Sequence, residues 1–230
     1  MWPDARRLVD DIGHELRTPL TALQGEFEIA LRSERTPERY QAVLRSGLEE
    51  IGRLSTICDE LLLITLADSG GLSLHRLPAD INELARDSLE RASGRIDQKG
   101  ITPSIQLAYA GSPVLVDSGV IGKAFDELVE NAVKFTPSGG AIVVGTDAVN
   151  GSARLWVEDS GPGVPVEQFL HLLEPFYRGD PARSRDTGTG LGLCTAASLA
   201  RAHGGTIRAA NLPEHGARFE LDLPIITEPH

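Results

Sequence analysis

The chain has 230 residues, 41% of them hydrophobic and 24% charged, enough to bury a core across one or two domains. Its 22 basic and 33 acidic side chains leave a formal charge of −11, which repels phosphate backbones and anionic lipid and argues against nucleic-acid binding. The two cysteines, Cys58 and Cys194, lie in helical patterns without disulfide or metal-ligand spacing, so a reducing, cytoplasmic setting is expected. The longest apolar run, Leu61 to Ala67, is too short to span a bilayer, so no membrane contact is expected from this segment and any anchor of a parent protein lies outside it.

From Leu8 to Leu31 apolar residues recur at Ile12, Leu16, Leu20, Leu23 and Phe27, the stripe of an amphipathic helix. A second stripe follows at Val43, Gly47, Ile51, Leu54, Cys58, Leu61 and Thr65. Between them Ser33 to Glu38 reads as a loop, with Thr36 as N-cap and Pro37 at the first helical position. A hairpin with a core on one side only cannot bury both stripes alone, so two copies are expected to pack as a dimeric four-helix bundle over residues 1–69. Asp68 to Gly71 ends the second helix with a flexible joint.

Residues 72–230 change texture. Short β-like runs at 101–107, 141–146, 153–158, 206–210 and 217–223 are interleaved with helical runs at 81–95, 120–135 and 193–202. This pattern predicts an α/β sandwich: one mixed sheet with helices on one face.

Four constellations carry chemistry. His14 lies two positions from both Ile12 and Leu16, so it faces away from the buried stripe as an exposed nucleophile. Glu15 beside it can take or hold the second imidazole proton, and Thr18, one turn along, can orient a water for the reverse reaction. On a later helix Glu127, Asn131, Lys134 and Phe135 share one stripe, lining up oxygen ligands for Mg²⁺, a cation for phosphate and an aromatic face for a purine. Strand alternation turns Asp159 inward with Leu155 and Val157, where an exocyclic adenine amine would satisfy it, while the Gly161 to Gly163 turn lets backbone approach the base. Thr187, Gly188, Thr189, Gly190, Leu191 and Gly192 open a helix that stops at Gly204, and present backbone N–H groups to a phosphate. Before them, Phe176 to Thr187 has the composition of a lid, with Arg178, Arg183 and Arg185; Arg178 is the candidate for stabilising the transferring phosphoryl group.

In this order the segments resemble the H, N, G1, F and G2 boxes of sensor histidine kinases, from about residue 10 to 223. The resemblance implies a dimeric helical hairpin joined to a Bergerat-type ATP-binding domain, the fold shared with gyrase and MutL proteins. It implies a homodimer that uses ATP and Mg²⁺ and hands a phosphoryl group to the receiver domain of a response regulator. By it, His14 is the phosphoacceptor, Glu15 its acid/base partner and Thr18 the phosphatase residue. Asn131 becomes the Mg²⁺ ligand, Lys134 a phosphate contact, Phe135 the adenine stack and Asp159 the adenine hydrogen bond, while Gly188, Gly190 and Gly192 border the lid. Two positions depart from the family pattern: Glu127 stands where asparagine is usual, and Gly216 is followed by Ala217 rather than threonine. Glu127 and Asn131 together resemble the hydrolytic relatives, in which a carboxylate activates water. The alternative is therefore a Bergerat-fold ATPase or nucleotide-gated module without histidine kinase activity.

Overall fold

A computed structural model describes residues 5–108, 113–149, 151–179 and 188–226, with side chains from residue 9 onward. The chain divides into two compact units, Met1–Leu62 and Leu63–His230.

In the first unit α1 (Ala5–Leu31) passes through Pro19, and α2 (Pro37–Asp68) opens at the proline that pre-sets its first helical φ. α2 folds back along α1. The Phe27 ring fills the space where a Cβ at Gly47 would sit 2.6 Å away, and Ser46 donates to Glu26 at 3.2 Å. Leu23, Ala30, Gly47 and Ile57 are buried, with Ile12, Leu16, Phe27 and Leu54 half-buried. The burial departs from the expected stripe, because Leu20, Leu31, Ile51 and Cys58 are exposed. The apolar surface of each helix is wider than one neighbour can cover. Leu8 lies outside the described side chains.

The second unit takes the last turns of α2 into its own core, where Ala67 packs. It then forms β1 (Leu77–Asp80), α3 (Ile81–Lys99), β2 (Thr102–Gln106), β3 (Pro113–Val116), α4 (Ser118–Phe135), β4 (Ala141–Val149), β5 (Ser152–Asp159), a 3₁₀ turn (Val166–Gln168), α5 (Gly192–Ala202), β6 (Thr206–Asn211) and β7 (Ala217–Pro224). Five strands make one mixed sheet in the order β2-β4-β5-β7-β6, parallel only between β2 and β4, while β1 and β3 pair with each other. Period-two alternation sorts the sheet's faces. Ala153, Leu155, Val157, Phe219, Leu221 and Leu223 are buried in one core with Ile96, Phe125, Leu128 and Leu199 of the helices. The opposite face carries an ionic ladder in which Arg154 meets Asp222 at 2.6 Å and Arg218 meets Glu158 at 3.0 Å.

Caps fix where the helices begin. Asp80 accepts from the Asn82 N–H at the start of α3, and Asp117 accepts from Val120 at the start of α4. Among the described residues no helix is long and apolar enough to cross a membrane.

Candidate active site

His14 is exposed on α1, and among the described residues no side chain bonds its ring, which leaves both nitrogens available. The Thr18 hydroxyl donates to the His14 carbonyl at 3.1 Å, so its proton is turned into the helix and its lone pairs outward. Glu15 is half-buried beside them. These three residues belong to the first unit; every other candidate residue stands in the second.

α4 supplies the first wall of the second unit's site. Glu127 and Asn131 are half-buried at i,i+4 spacing, and Phe135 keeps 46% of its surface exposed. The Lys134 ammonium lies 4.8 Å over the Phe135 ring centroid and 3.7 Å from where a Cβ on Gly188 would be. Lys134 is exposed as a whole, yet burial of its ammonium end, and then the charge of Arg178, lower its pKa. An anion between the two cations would reverse that effect, as a phosphate does.

β5 supplies the second wall. Asp159 is only 5% exposed, and burial raises its pKa against the backbone hydrogen bonds that lower it. Gly161 donates at 2.8 Å and Ala217 at 3.4 Å, both to Oδ1. Among the described residues no donor reaches Oδ2, so a ligand N–H has an accessible acceptor on an otherwise buried residue to meet. The backbone is packed too tightly here for side chains. A Cβ on Gly161 would stand 2.8 Å from the Phe135 carbonyl, and one on Gly216 would stand 1.8 Å from that of Asp159. Asn211, which the sequence reading passed over, holds the Gly163 turn by accepting from Val164 N–H and donating to its carbonyl, both at 2.7 Å.

The third wall joins the segment before α5 to the glycine loop. Phe176 adopts φ 60°, a left-handed conformation that costs a non-glycine residue about 1–2 kcal/mol. Gly190, itself at φ 75°, lets the loop close on it: a Cβ there would lie 2.9 Å from the Phe176 backbone. Arg178 donates to the Thr189 carbonyl at 3.4 Å. Leu191 is buried, and Gly192 opens α5. Thr187 and the arginines Arg183 and Arg185 lie outside the described residues. The site thus gathers an acceptor on a buried residue, an exposed aromatic, two cations and a helix N-terminus, which together fit a nucleotide.

Residues 4–70 match the family model of the His Kinase A (phospho-acceptor) domain, and residues 117–227 match that of the histidine kinase-, DNA gyrase B- and HSP90-like ATPase. The chain belongs to the two-component sensor histidine kinases. It is 34% identical to the probable sensor kinase SilS of Salmonella typhimurium, over 93% of this chain and 44% of that protein. It is 37% identical to the signal transduction histidine-protein kinase/phosphatase MprB of Mycolicibacterium vanbaalenii, over 88% of this chain and 42% of that protein. The crystal structure of full-length ShkA in complex with AMPPNP superimposes with a TM-score of 0.72 at 27% identity, covering 97% of this chain and 47% of that one. The chain therefore spans less than half the length of these curated relatives. As a sensor histidine kinase it has the family's helical hairpin followed by its α/β ATPase-type domain.

Proposed function

We propose that this chain is the cytoplasmic catalytic core of a sensor histidine kinase: it binds ATP, autophosphorylates on His14, and passes the phosphoryl group to an aspartate of a response regulator receiver domain. In this reading residues 1–69 are the dimerisation and phosphotransfer hairpin of a homodimer, and residues 72–230 the ATP-binding catalytic domain. One observation carries it. A carboxylate 5% exposed, with one oxygen engaged by backbone donors, stands in the same compact unit as the Lys134 and Arg178 cations, in a chain that also presents an exposed His14. The AMPPNP bound in the ShkA structure and the kinase/phosphatase name of MprB support the same reading.

The residues divide the work. Asp159 Oδ2 accepts the adenine amine, Phe135 stacks on the ring, and the Gly161 to Gly163 turn admits the base. Lys134 and the amides of Gly188 to Gly192 hold the phosphates, with Thr187, Thr189 and Leu191 on the same loop. Mg²⁺, when bound, neutralises charge on the phosphates; Asn131 and Glu127 offer the hard oxygens that suit it. A His14 ring nitrogen attacks the γ-phosphorus in line, forming an N–P bond as the bond to the ADP oxygen breaks, while Glu15 takes the proton from the other nitrogen. Arg178 stabilises the charge that spreads over the transferring group. Transfer to the regulator reverses the roles: its aspartate oxygen attacks phosphorus and His14 leaves. Thr18 orients the water that hydrolyses the regulator's acyl phosphate.

Incubation with γ-labelled ATP tests this directly. Acid-labile, base-stable label is expected on the wild-type chain and absent from His14→Gln. Label that survives that substitution, or nucleotide hydrolysis with no labelled protein, would overturn the kinase reading in favour of an ATPase module.

A further inference from the structure

The last turn of α4 carries Lys134 and Phe135, so what fixes that turn fixes the nucleotide site. A helix ends with four carbonyls that lack intrahelical donors. In α4 the Ala132 carbonyl takes both the Thr136 N–H at 3.0 Å and the Thr136 hydroxyl at 2.7 Å. The Phe135 carbonyl is backed by Gly161. The two between them, Val133 and Lys134, are both bonded by one side chain from another helix: Lys99 Nζ donates to each at 2.7 Å. Lys99 is the final residue of α3 and is half-buried, so its ammonium meets the negative end of α4 in a partly desolvated place, where charge-assisted bonds are strongest.

We infer that Lys99 is a positioning residue for nucleotide: it clamps the last turn of α4 so that Lys134, Phe135 and the Gly161 turn are in register before ATP arrives. This rests on the ATP-binding reading above. Lys99 lies one residue before the Gly100 turn, its head group bonds none of the side chains proposed to meet ligand, and it acts only through the α4 carbonyls.

A second α3 to α4 link separates this role from simple helix packing. Arg91 bonds both oxygens of Asp126, at 2.9 and 2.8 Å, but it does so two turns before Lys134. If Lys99 only held the helices together, losing Arg91 would have the same consequence.

Lys99→Met, Lys99→Arg and Arg91→Gln in the full chain test the difference, with AMPPNP as the probe. Lys99→Met is expected to weaken AMPPNP binding about tenfold while leaving the autophosphorylation rate at saturating ATP within about twofold, because the clamp acts on binding and not on the transfer step. Lys99→Arg, whose guanidinium offers several donors, is expected to recover most of the loss. Arg91→Gln should bind AMPPNP like wild type. Hydrogen exchange without nucleotide gives an independent reading: the peptide covering residues 131–137 should lose protection in Lys99→Met and keep it in Arg91→Gln. Wild-type binding by Lys99→Met, or equal losses in Lys99→Met and Arg91→Gln, would overturn the inference. A wild-type chain that binds no AMPPNP would sink the ATP reading instead, and the exchange result would still decide whether Lys99 clamps the turn.

Discussion

The carboxylate of Glu127 on α4 lies against Gly192, the first residue of α5: a Cβ on Gly192 would stand 2.4 Å from Oε2. This sets a negative charge at the positive end of α5, where Leu191 makes no side-chain cap. Glu127 therefore has a structural task that its spacing to Asn131 does not disclose. Alanine in a helix's first turn ordinarily stabilises relative to glycine. Here Gly192→Ala is expected to lose that gain and to destabilise by at most about 1 kcal/mol, because the Glu127 carboxylate must swing off the α5 N-terminus to make room. In a Glu127→Ala background the same change should be neutral or favourable, a coupling of about 1 kcal/mol or more in a double-mutant cycle. Urea denaturation of the four proteins measures it, and additive effects would mean that the two residues do not meet.

Asp159 carries a stability cost, which the proposed adenine contact would explain. Its pKa in the folded state is raised above the ordinary 3.8, so the ionised form is held unfavourably. The sign follows: the group's contribution is most favourable below the unfolded pKa and is lost as pH rises through the higher folded value. At neutral pH Asp159→Asn is therefore expected to raise the melting temperature of the ligand-free chain and to abolish ATP binding. Differential scanning calorimetry with and without ATP reads both effects. An asparagine variant that binds ATP normally would remove Asp159 from the adenine site.

The sequence was most legible where chemistry is local. α3, α4, α5 and the strands β4 to β7 announce themselves by periodicity, and strand alternation foretells that Asp159 turns inward on β5. The pair β1 and β3 was missed because each has four residues, one of them proline, and the two exist only by pairing Leu77 with Val116 and Asp80 with Pro113 across the intervening helix and strand. Phe176 at φ 60° gave no signal either, since aromatic residues have no preference for that conformation and only the approach of Gly190 explains it. In α2 the buried set was misjudged because apolar residues flank the seam on both sides, and periodicity does not say which flank meets its own hairpin.

The unburied flank supports the third prediction. Leu44, Leu48, Ile51 and Leu62 of α2 are 60, 69, 48 and 60% exposed, at helical spacing on one surface of the first unit. Covering them with a second copy removes apolar area at about 25 cal/mol per Å², and an isologous pairing would do so twice. Leu48→Glu is expected to convert a dimeric chain to monomer in sedimentation velocity, while Leu77→Glu, an exposed leucine of the second unit, leaves it dimeric. A wild-type chain that is monomeric at micromolar concentration would refute the bundle.

His203 ends α5 in a neutral, bridging state. Its Nδ1 lies 2.9 Å from the Leu199 carbonyl, and its Nε2 accepts the Asp117 N–H at 3.2 Å, so the ring donates at one nitrogen and accepts at the other. Burial lowers its pKa below the ordinary 6.5; the Leu199 bond and Asp117 oppose that shift and the charge of Arg76 adds to it. Because the unfolded chain takes up the proton first, this residue's stabilisation is complete above about pH 6.5 and falls away as the pH drops toward the folded value. His203→Gln, which keeps a donor and an acceptor but does not titrate, should flatten the loss of stability between pH 7 and pH 5 in calorimetry. Parallel pH profiles for the two proteins would show that His203 contributes nothing to acid sensitivity.

The final prediction concerns wasted ATP. Glu127 shares a helix face with Asn131, and a carboxylate near the γ-phosphate can act as a base toward a stray water. In-line transfer needs the His14 imidazole in place, whereas hydrolysis needs only a positioned water, so removing the histidine should leave a leak intact. Slow phosphate release is therefore expected from His14→Gln protein. The contact with Gly192 bears on its size: a carboxylate packed against the α5 N-terminus is restrained from swinging toward a water. The leak should accordingly be slow, and Glu127→Asn should reduce it further while the otherwise wild-type chain still autophosphorylates. Colorimetric phosphate release from His14→Gln and from the His14→Gln, Glu127→Asn double variant makes the comparison. Equal release from both would mean that Glu127 serves α5 alone, and the hydrolytic analogy would then be dropped.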